Sequence, residues 1–266
     1  MRPSRRLAGA GPIVAVALLA VAVVGATVLG WQHYTDRVAS ATQALGDPTS
    51  PTATGSTPAP GRDESRPRTP DVPIVVEADF AAGRIPADFA TFDDGTSHPM
   101  TVSGGRLVHG SPTGSTGASY LEAALPDDVQ RIGAEVRFAD TAQPGGIALI
   151  AWEDSLVAKR TDEKTLPRSG LHFVAFPGSW HLGTIDPSAP ALETIVGSGS
   201  YSGASGSQVF EVVRRGGTVW VTDPSGGVTK VQDPRIAEYA GPWADWELFD
   251  PARGSAPASF ARVWAG

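Results

Sequence analysis

The chain has 266 residues, of which 41% are hydrophobic, with 21 Lys and Arg against 28 Asp and Glu and no cysteine. The missing cysteine excludes disulfides, thiolate metal sites, a cysteine nucleophile and the lipid-bearing cysteine of a bacterial lipoprotein. Charge divides unevenly: residues 1–73 carry 7 basic and 5 acidic side chains and residues 74–266 carry 14 and 23, so the later part excludes nucleic acid and anionic lipid head groups, which need a basic surface.

Residues 1–10 are basic, and Arg2, Arg5 and Arg6 precede an uncharged run over residues 11–30. At about 1.5 Å per residue such a run spans roughly 30 Å, the thickness of a bilayer's hydrocarbon core. The arginines put the N-terminus in the cytoplasm and the rest outside. Trp31 and Tyr34 fall where an interfacial aromatic belt belongs. A cleaved signal peptide is the rival reading, with Val24-Gly25-Ala26 or Ala39-Ser40-Ala41 as cleavage site. The apolar run passes Ala26 and reaches Leu29, which favours a retained anchor. The expectation is a single-pass cell-membrane protein with an extracytoplasmic C-terminal domain, or a secreted one if the segment is cleaved. Residues 31–73 form a linker, rich in proline, threonine and serine from Asp47 onward and too poor in apolar residues to offset the entropy of ordering.

From Ile74 onward the dominant period is two. "DFATFDDGTSHP" holds Asp93-Asp94-Gly95, whose carboxylates are hard oxygen ligands of the kind calcium takes and which equally form an ordinary Asp-Gly turn. "SGGRLVHG" and "GASYLEAAL" are short strands. In "VQRIGAEVRFAD", Ile132, Ala134, Val136 and Phe138 share one face. "GGIALIAWED" is apolar on both parities and predicts a central strand covered on both sides. "LHFVAFPGSWHLGTI" predicts a hairpin turning at Pro177-Gly178-Ser179, and "GSGSYSGASGS" a low-complexity loop. "QVFEVVRR", "GTVWVTD" and "GVTKVQD" form a ladder turning at Gly216-Gly217 and at residues 223–227. Pro234 and Pro242 bracket one short helical turn, and "ASFARVWAG" closes the series. About ten short strands and hardly any helix predict one all-β antiparallel sandwich or closed barrel over residues 74–266.

This order of elements resembles a concanavalin A-like jelly roll, the fold of laminin-G-type modules and of many lectins and glucanases. It is carried by "ADFAAGRIPADFATFDDGT", the "AEVRF" and "GGIALIAWED" strands, the "LHFVAF" hairpin and "FEVVRRGGTVWVTDPSGGV". The resemblance implies a sandwich whose members include enzymes, sugar binders and adhesion modules. Retaining glucanases of this fold carry their two carboxylates on one strand in a Glu-x-Asp-x-x-Glu run, because alternate residues reach one cleft and carboxyls about 5–5.5 Å apart can serve one sugar carbon. No such run occurs here. The nearest sets are Glu153-Asp154, adjacent and therefore on opposite faces, and Asp245, Glu247 and Asp250, of which Asp245 and Glu247 share a parity. As a pair they are the catalytic candidates, against a reading as solvated carboxylates on a polar strand face.

His172 and His181 fall near each other across the predicted hairpin, as a metal or general-base pair or as polar-face residues among aromatics, with no third ligand evident. Tryptophan is the remaining chemistry. An exposed indole stacks on a pyranose face, and Trp220, Trp243 and Trp246 are the ligand candidates, with packing under a loop as the alternative. Trp220 shares a parity with Thr218 and Thr222, away from Val219 and Val221, whereas Trp152 and Trp180 read as core. The functional expectation is a membrane-tethered module that binds carbohydrate at the bacterial cell envelope without catalysis and with no obligatory cofactor. The alternatives are a glycoside hydrolase of the same fold and an adhesion module without a small ligand.

Overall fold

The computed structural model describes residues 67–93, 99–110, 117–156, 169–186, 193–202, 206–239, 241–250 and 255–266. The anchor, most of the linker, Asp94 and His98 lie outside these residues. Among the described residues no helix is long and apolar enough to cross a membrane.

Short runs of β-branched and aromatic residues between Gly, Pro and Asp form fifteen strands among the described residues. They are β1 (Val76–Asp79), β2 (Phe89–Asp93), β3 (Thr101–Ser103), β4 (Arg106–Val108), β5 (Gly117–Ala124), β6 (Arg131–Arg137), β7 (Gly146–Trp152) and β8 (Gly170–Phe176). The series continues with β9 (Ser179–Ile185), β10 (Glu193–Ser200), β11 (Gln208–Arg215), β12 (Thr218–Thr222), β13 (Val228–Gln232), β14 (Trp243–Asp250) and β15 (Ser259–Ala265). They build two antiparallel sheets. The eight-stranded sheet runs β13-β12-β11-β6-β15-β4-β3, with β1 also on β15, and the seven-stranded sheet runs β10-β9-β8-β7-β14-β5-β2.

Turn chemistry fixes the hairpins where the sequence places them. Gly178, Gly216 and Gly226 have φ of 85°, 53° and 76°, a region that side chains with a Cβ avoid. They join β8 to β9, β11 to β12 and β12 to β13. Asp223 tightens the last turn by accepting from the Ser225 backbone N at 2.8 Å. The last two strands behave differently. β14 is inserted between β5 and β7, and β15 between β6 and the pair β4 and β1, so each sheet is completed by the C-terminal part of the chain.

The core lies between the inner faces. Phe80, Leu107, Leu121, Phe173, Phe210 and Phe260 are fully buried, and Phe173 of one sheet meets Phe210 of the other at 5.8 Å between ring centroids. Ile132, Ala134 and Val136 belong to this core, with Phe138 packed against it. All seven residues of β7 are buried, and β7 is the middle strand of its sheet, so the doubly apolar run is covered on both faces. The helical turn near Pro234 is a 3₁₀ helix over Pro234–Glu238, capped by Asp233, which accepts from the Arg235 backbone N at 2.9 Å.

Two expectations are corrected. The described strands outnumber the expected ten by five, because β1, β2, β3 and β10 are short or glycine-rich and β14 carries charge. Gly197 to Ser200, read as part of a loop, is the end of β10. A Cβ at Gly197 would stand 2.7 Å from Val231 Cγ2 and one at Gly199 2.6 Å from Trp180 Cε2, so these glycines admit close packing within a strand.

Candidate functional site

Strand β14 divides its side chains between two surfaces. Ala244, Trp246 and Leu248 belong to the core; Trp243, Asp245, Glu247 and Phe249 alternate with them and face the outer side of the seven-stranded sheet. Unbroken pairing with β5 and β7 sets their neighbours. Glu122 and Ile150 flank Asp245, Tyr120 and Ala148 flank Glu247, and Ala124 and Trp152 flank Trp243. Beyond β7, Ile150 pairs with His172, which pairs with Gly183, while Val174 pairs with His181. Glu193 on β10 pairs with Ile185.

This outer face is not solvated. Ala148, Ile150, Trp152, Val174 and Phe249 are buried yet stand outside the core cluster, and they form a second apolar layer. The carboxylates sit within it, with Glu122 at 3%, Asp245 at 0% and Glu247 at 5% exposure. The reading of Asp245 and Glu247 as solvated is therefore corrected. Residues just after β7 turn back over the face. Ser155 Oγ donates to Glu122 Oε1 at 2.7 Å and the Leu156 backbone N to Glu122 Oε2 at 2.6 Å, and Leu156 is fully buried.

The charged groups differ sharply in their support. Asp245 has no hydrogen-bond partner at either carboxylate oxygen. Burial, then the charges of Glu122 and Glu247, push its carboxyl well above the ordinary carboxylate range. His172 is the counterweight. Its Nδ1 lies 2.9 Å from Glu193 Oε1 and its Nε2 3.8 Å from Glu247 Oε2. Burial alone favours the neutral ring, but Glu193 and then Glu247 outweigh it and raise the imidazole to about 9. His181, with Nε2 3.8 Å from Glu193 Oε1, is pushed down to about 4, first by burial and then by His172, against the pull of Glu193. One imidazole is thus held protonated and the other neutral. Glu193→Gln is expected to bring the His172 titration down from about 9 toward neutrality, read from its imidazole proton shifts by NMR. An unmoved midpoint would show that Glu193 does not hold the proton.

The three candidate tryptophans occupy three different surfaces. Trp243 is half-buried on the outer face beside Asp245. Trp220 is half-buried on the far side of the domain, on the outer face of the eight-stranded sheet, with Lys230 Nζ 5.8 Å from its ring centroid. Trp246 is fully buried between the sheets, with Nε1 donating to the Gly133 carbonyl at 2.9 Å. It packs on the core and presents no face to a ligand, which corrects its place among the binding residues. Trp180 is core as read, whereas Trp152 is buried in the outer layer. Asp250 falls on the inner parity because β14 runs without a bulge, and only Asp245 and Glu247 share a face. Asp93 ends β2 opposite Ser119, and the calcium reading of Asp93 and Asp94 falls largely outside the described residues. Among the described residues no group of His, Asp or Glu is arranged to hold a metal ion.

Two members of the cluster escaped the sequence reading. Glu122 is a carboxylate inside the apolar "YLEAAL", a legible signal, since a charge does not enter a buried strand without cause. Glu193 gave none, because only the pairing of β10 with β9 brings it to the histidines.

No protein-family model matches the chain, and no curated protein does. Solved structures do. A Bacillus subtilis protein of unknown function with a galectin-like fold is similar at 10% identity and a TM-score of 0.53, over 74% of this chain and 97% of that one. The catalytic domain of an endo-1,3-β-glucanase (laminarinase) from Thermotoga petrophila RKU-1 is similar at 10% identity and a TM-score of 0.52, over 73% and 97%. The laminarinase from Rhodothermus marinus is similar at 11% identity and a TM-score of 0.51, over 72% and 96%. At such identities the likeness concerns the fold alone, and with the two-sheet topology it makes the described domain a concanavalin A-like jelly roll.

Proposed function

We propose that the domain binds a glycan without catalysis on the outer face of the seven-stranded sheet, held outside the cytoplasmic membrane by the apolar segment at residues 11–30. The observation that carries this reading is the set of stranded polar atoms on one face. Asp245 Oδ1 and Oδ2 and Trp152 Nε1 are buried without hydrogen-bond partners, and Trp152 pairs directly with Trp243 beside Asp245. A buried polar group without a partner costs about 1–3 kcal/mol. A polyhydroxylated ring has donors for the carboxylate, acceptors for the indole N–H and an apolar face for the aromatic rings. The endo-1,3-β-glucanases that share the fold are glycan-active, which adds to the reading without deciding it.

Hydrolysis is the second reading, favoured by the Asp245 and Glu247 pair on one face. Two features speak for binding instead. Asp250, which stands at the spacing of a third strand carboxylate, is turned to the inner side, and His172 engages Glu247. The test is an array of β-glucans and amino-sugar polymers probed with the full chain, its Trp152→Phe variant and its Trp220→Ala variant. Retention weakened by Trp152→Phe and untouched by Trp220→Ala is expected, with no release of reducing ends. Absence of any retained glycan sinks the reading, and reducing-end release abolished by Glu247→Gln makes the domain a hydrolase.

A further inference from the structure

The two sheets differ in the sign of charge they carry. No lysine or arginine occurs in any strand of the seven-stranded sheet, whose strands hold Asp93, Glu122, Glu193, Asp245, Glu247 and Asp250. Every strand-borne lysine and arginine lies in the eight-stranded sheet, where two carboxylates are in ion pairs: Arg131 Nη2 lies 2.6 Å from Glu211 Oε2, and Arg262 pairs with Glu77. On the seven-stranded sheet the strand-borne cation is His172, already engaged by Glu193 at 2.9 Å and approached by Glu247 at 3.8 Å.

Asp245 is left over. It stands directly opposite Glu122 and two residues from Glu247 on the same face, with 0% exposure and no donor to either oxygen. Glu122 is occupied by Ser155 and Leu156. Trp152 and Trp243 adjoin it on one side along β14, and Tyr120 pairs with Glu247 on the other. Three carboxylates beside aromatic rings, with no cation at the middle one among the described residues, form a seat for an ammonium group, which attracts both carboxylates and ring faces. An anionic sugar is repelled there by Glu122 and Glu247, whereas an ammonium favours the ionised form of Asp245 and pairs with it.

Resting on the glycan reading above, we propose that the glycan is one with free amines, an amino sugar lacking its N-acetyl group, whose ammonium sits on Asp245 between Glu122 and Glu247. An ammonium that also reaches Glu122 displaces Ser155 and Leu156 from it, because both donate to that carboxylate.

The test is calorimetric titration of the full chain, at low salt and at a pH where the sugar amine is protonated, with a glucosamine hexamer, its N-acetylated counterpart, a neutral β-glucan hexamer and a hexalysine peptide. The free-amine hexamer is expected to bind about tenfold tighter than the acetylated one, and Asp245→Asn to reduce that preference to about twofold or less while leaving the circular dichroism unchanged. Glu122→Gln, which keeps acceptor geometry for Ser155, is expected to weaken the same preference. Equal or tighter binding of the acetylated or neutral hexamer overturns the amine inference and leaves the glycan reading standing. Hexalysine binding as tightly as the amino sugar also overturns it, since the sugar then plays no part. If no oligosaccharide binds, the glycan reading fails first.

Discussion

Asp245→Asn is expected to stabilise the domain at neutral pH by about 1–3 kcal/mol, a rise in Tm of roughly 3–9 °C for a domain of this size. The cause is the buried carboxyl, which holds its proton well above 3.8 because of burial, Glu122 and Glu247. Above 3.8 the unfolded chain releases that proton while the folded domain retains it, so stability falls as pH rises from there toward the folded value. Asparagine carries no proton to lose, and this part of the slope disappears. His172 acts in a separate window. Its folded value of about 9 exceeds the ordinary 6.5, so its contribution is full below 6.5 and is lost as pH rises through about 9. Thermal melts across pH should therefore show the variant losing the acidic part of the slope and keeping the part that belongs to His172. Identical profiles for variant and parent between pH 4 and 6.5 would remove Asp245 as the source of the strain. A stabilising substitution at a central residue also marks the residue as kept for something other than stability.

The largest loss is expected at Trp246. Trp246→Ala should cost about 3–5 kcal/mol, because the side chain is fully buried, packs on Phe89 at 5.7 Å between centroids and donates to the Gly133 carbonyl. Trp246→Phe separates the two contributions: it keeps most of the ring and removes the donor, at a cost of about 1–2 kcal/mol. Trp220→Ala is the control, half-exposed on the other sheet, with a change of about 0.5–1 kcal/mol including its contact with Lys230. Urea unfolding measures all three. A tolerant Trp246 or a costly Trp220 would reverse the assignment of core and surface.

Period-two patterning made the sandwich legible, and glycine and proline chemistry gave three hairpins, because both are local. Strand parity also placed Trp220 on the polar side of β12 and put Asp245 and Glu247 on one face. Parity says which residues share a face; it does not say which of a sandwich strand's two faces is inner. Trp246 illustrates this, since β14 carries apolar and acidic residues alternately and its covered outer face buries both. The solvated reading of the carboxylates failed for the same reason: Ser155 and Leu156, which satisfy Glu122, follow β7, and no strand pattern records their contact. Glu193 shows the longer-range limit, because its contact with His172 spans two strand pairings.

The insertion of β14 and β15 into the middle of their sheets has a kinetic side. Before Trp243 and the residues after it join, β7 lacks the neighbour that ties it to β5, and β6 lacks the one that ties it to β4 and β1. The seven-stranded sheet is then two fragments and the eight-stranded sheet three, with open edges of the kind that pair wrongly with other chains. Long-range pairings of this sort form slowly, since loop closure precedes any reward. A chain synthesised from its N-terminus delivers these two strands after the other thirteen. Both sheets are therefore completed only after β15 has emerged, and until then the open edges of the fragments depend on chaperoning or rapid folding.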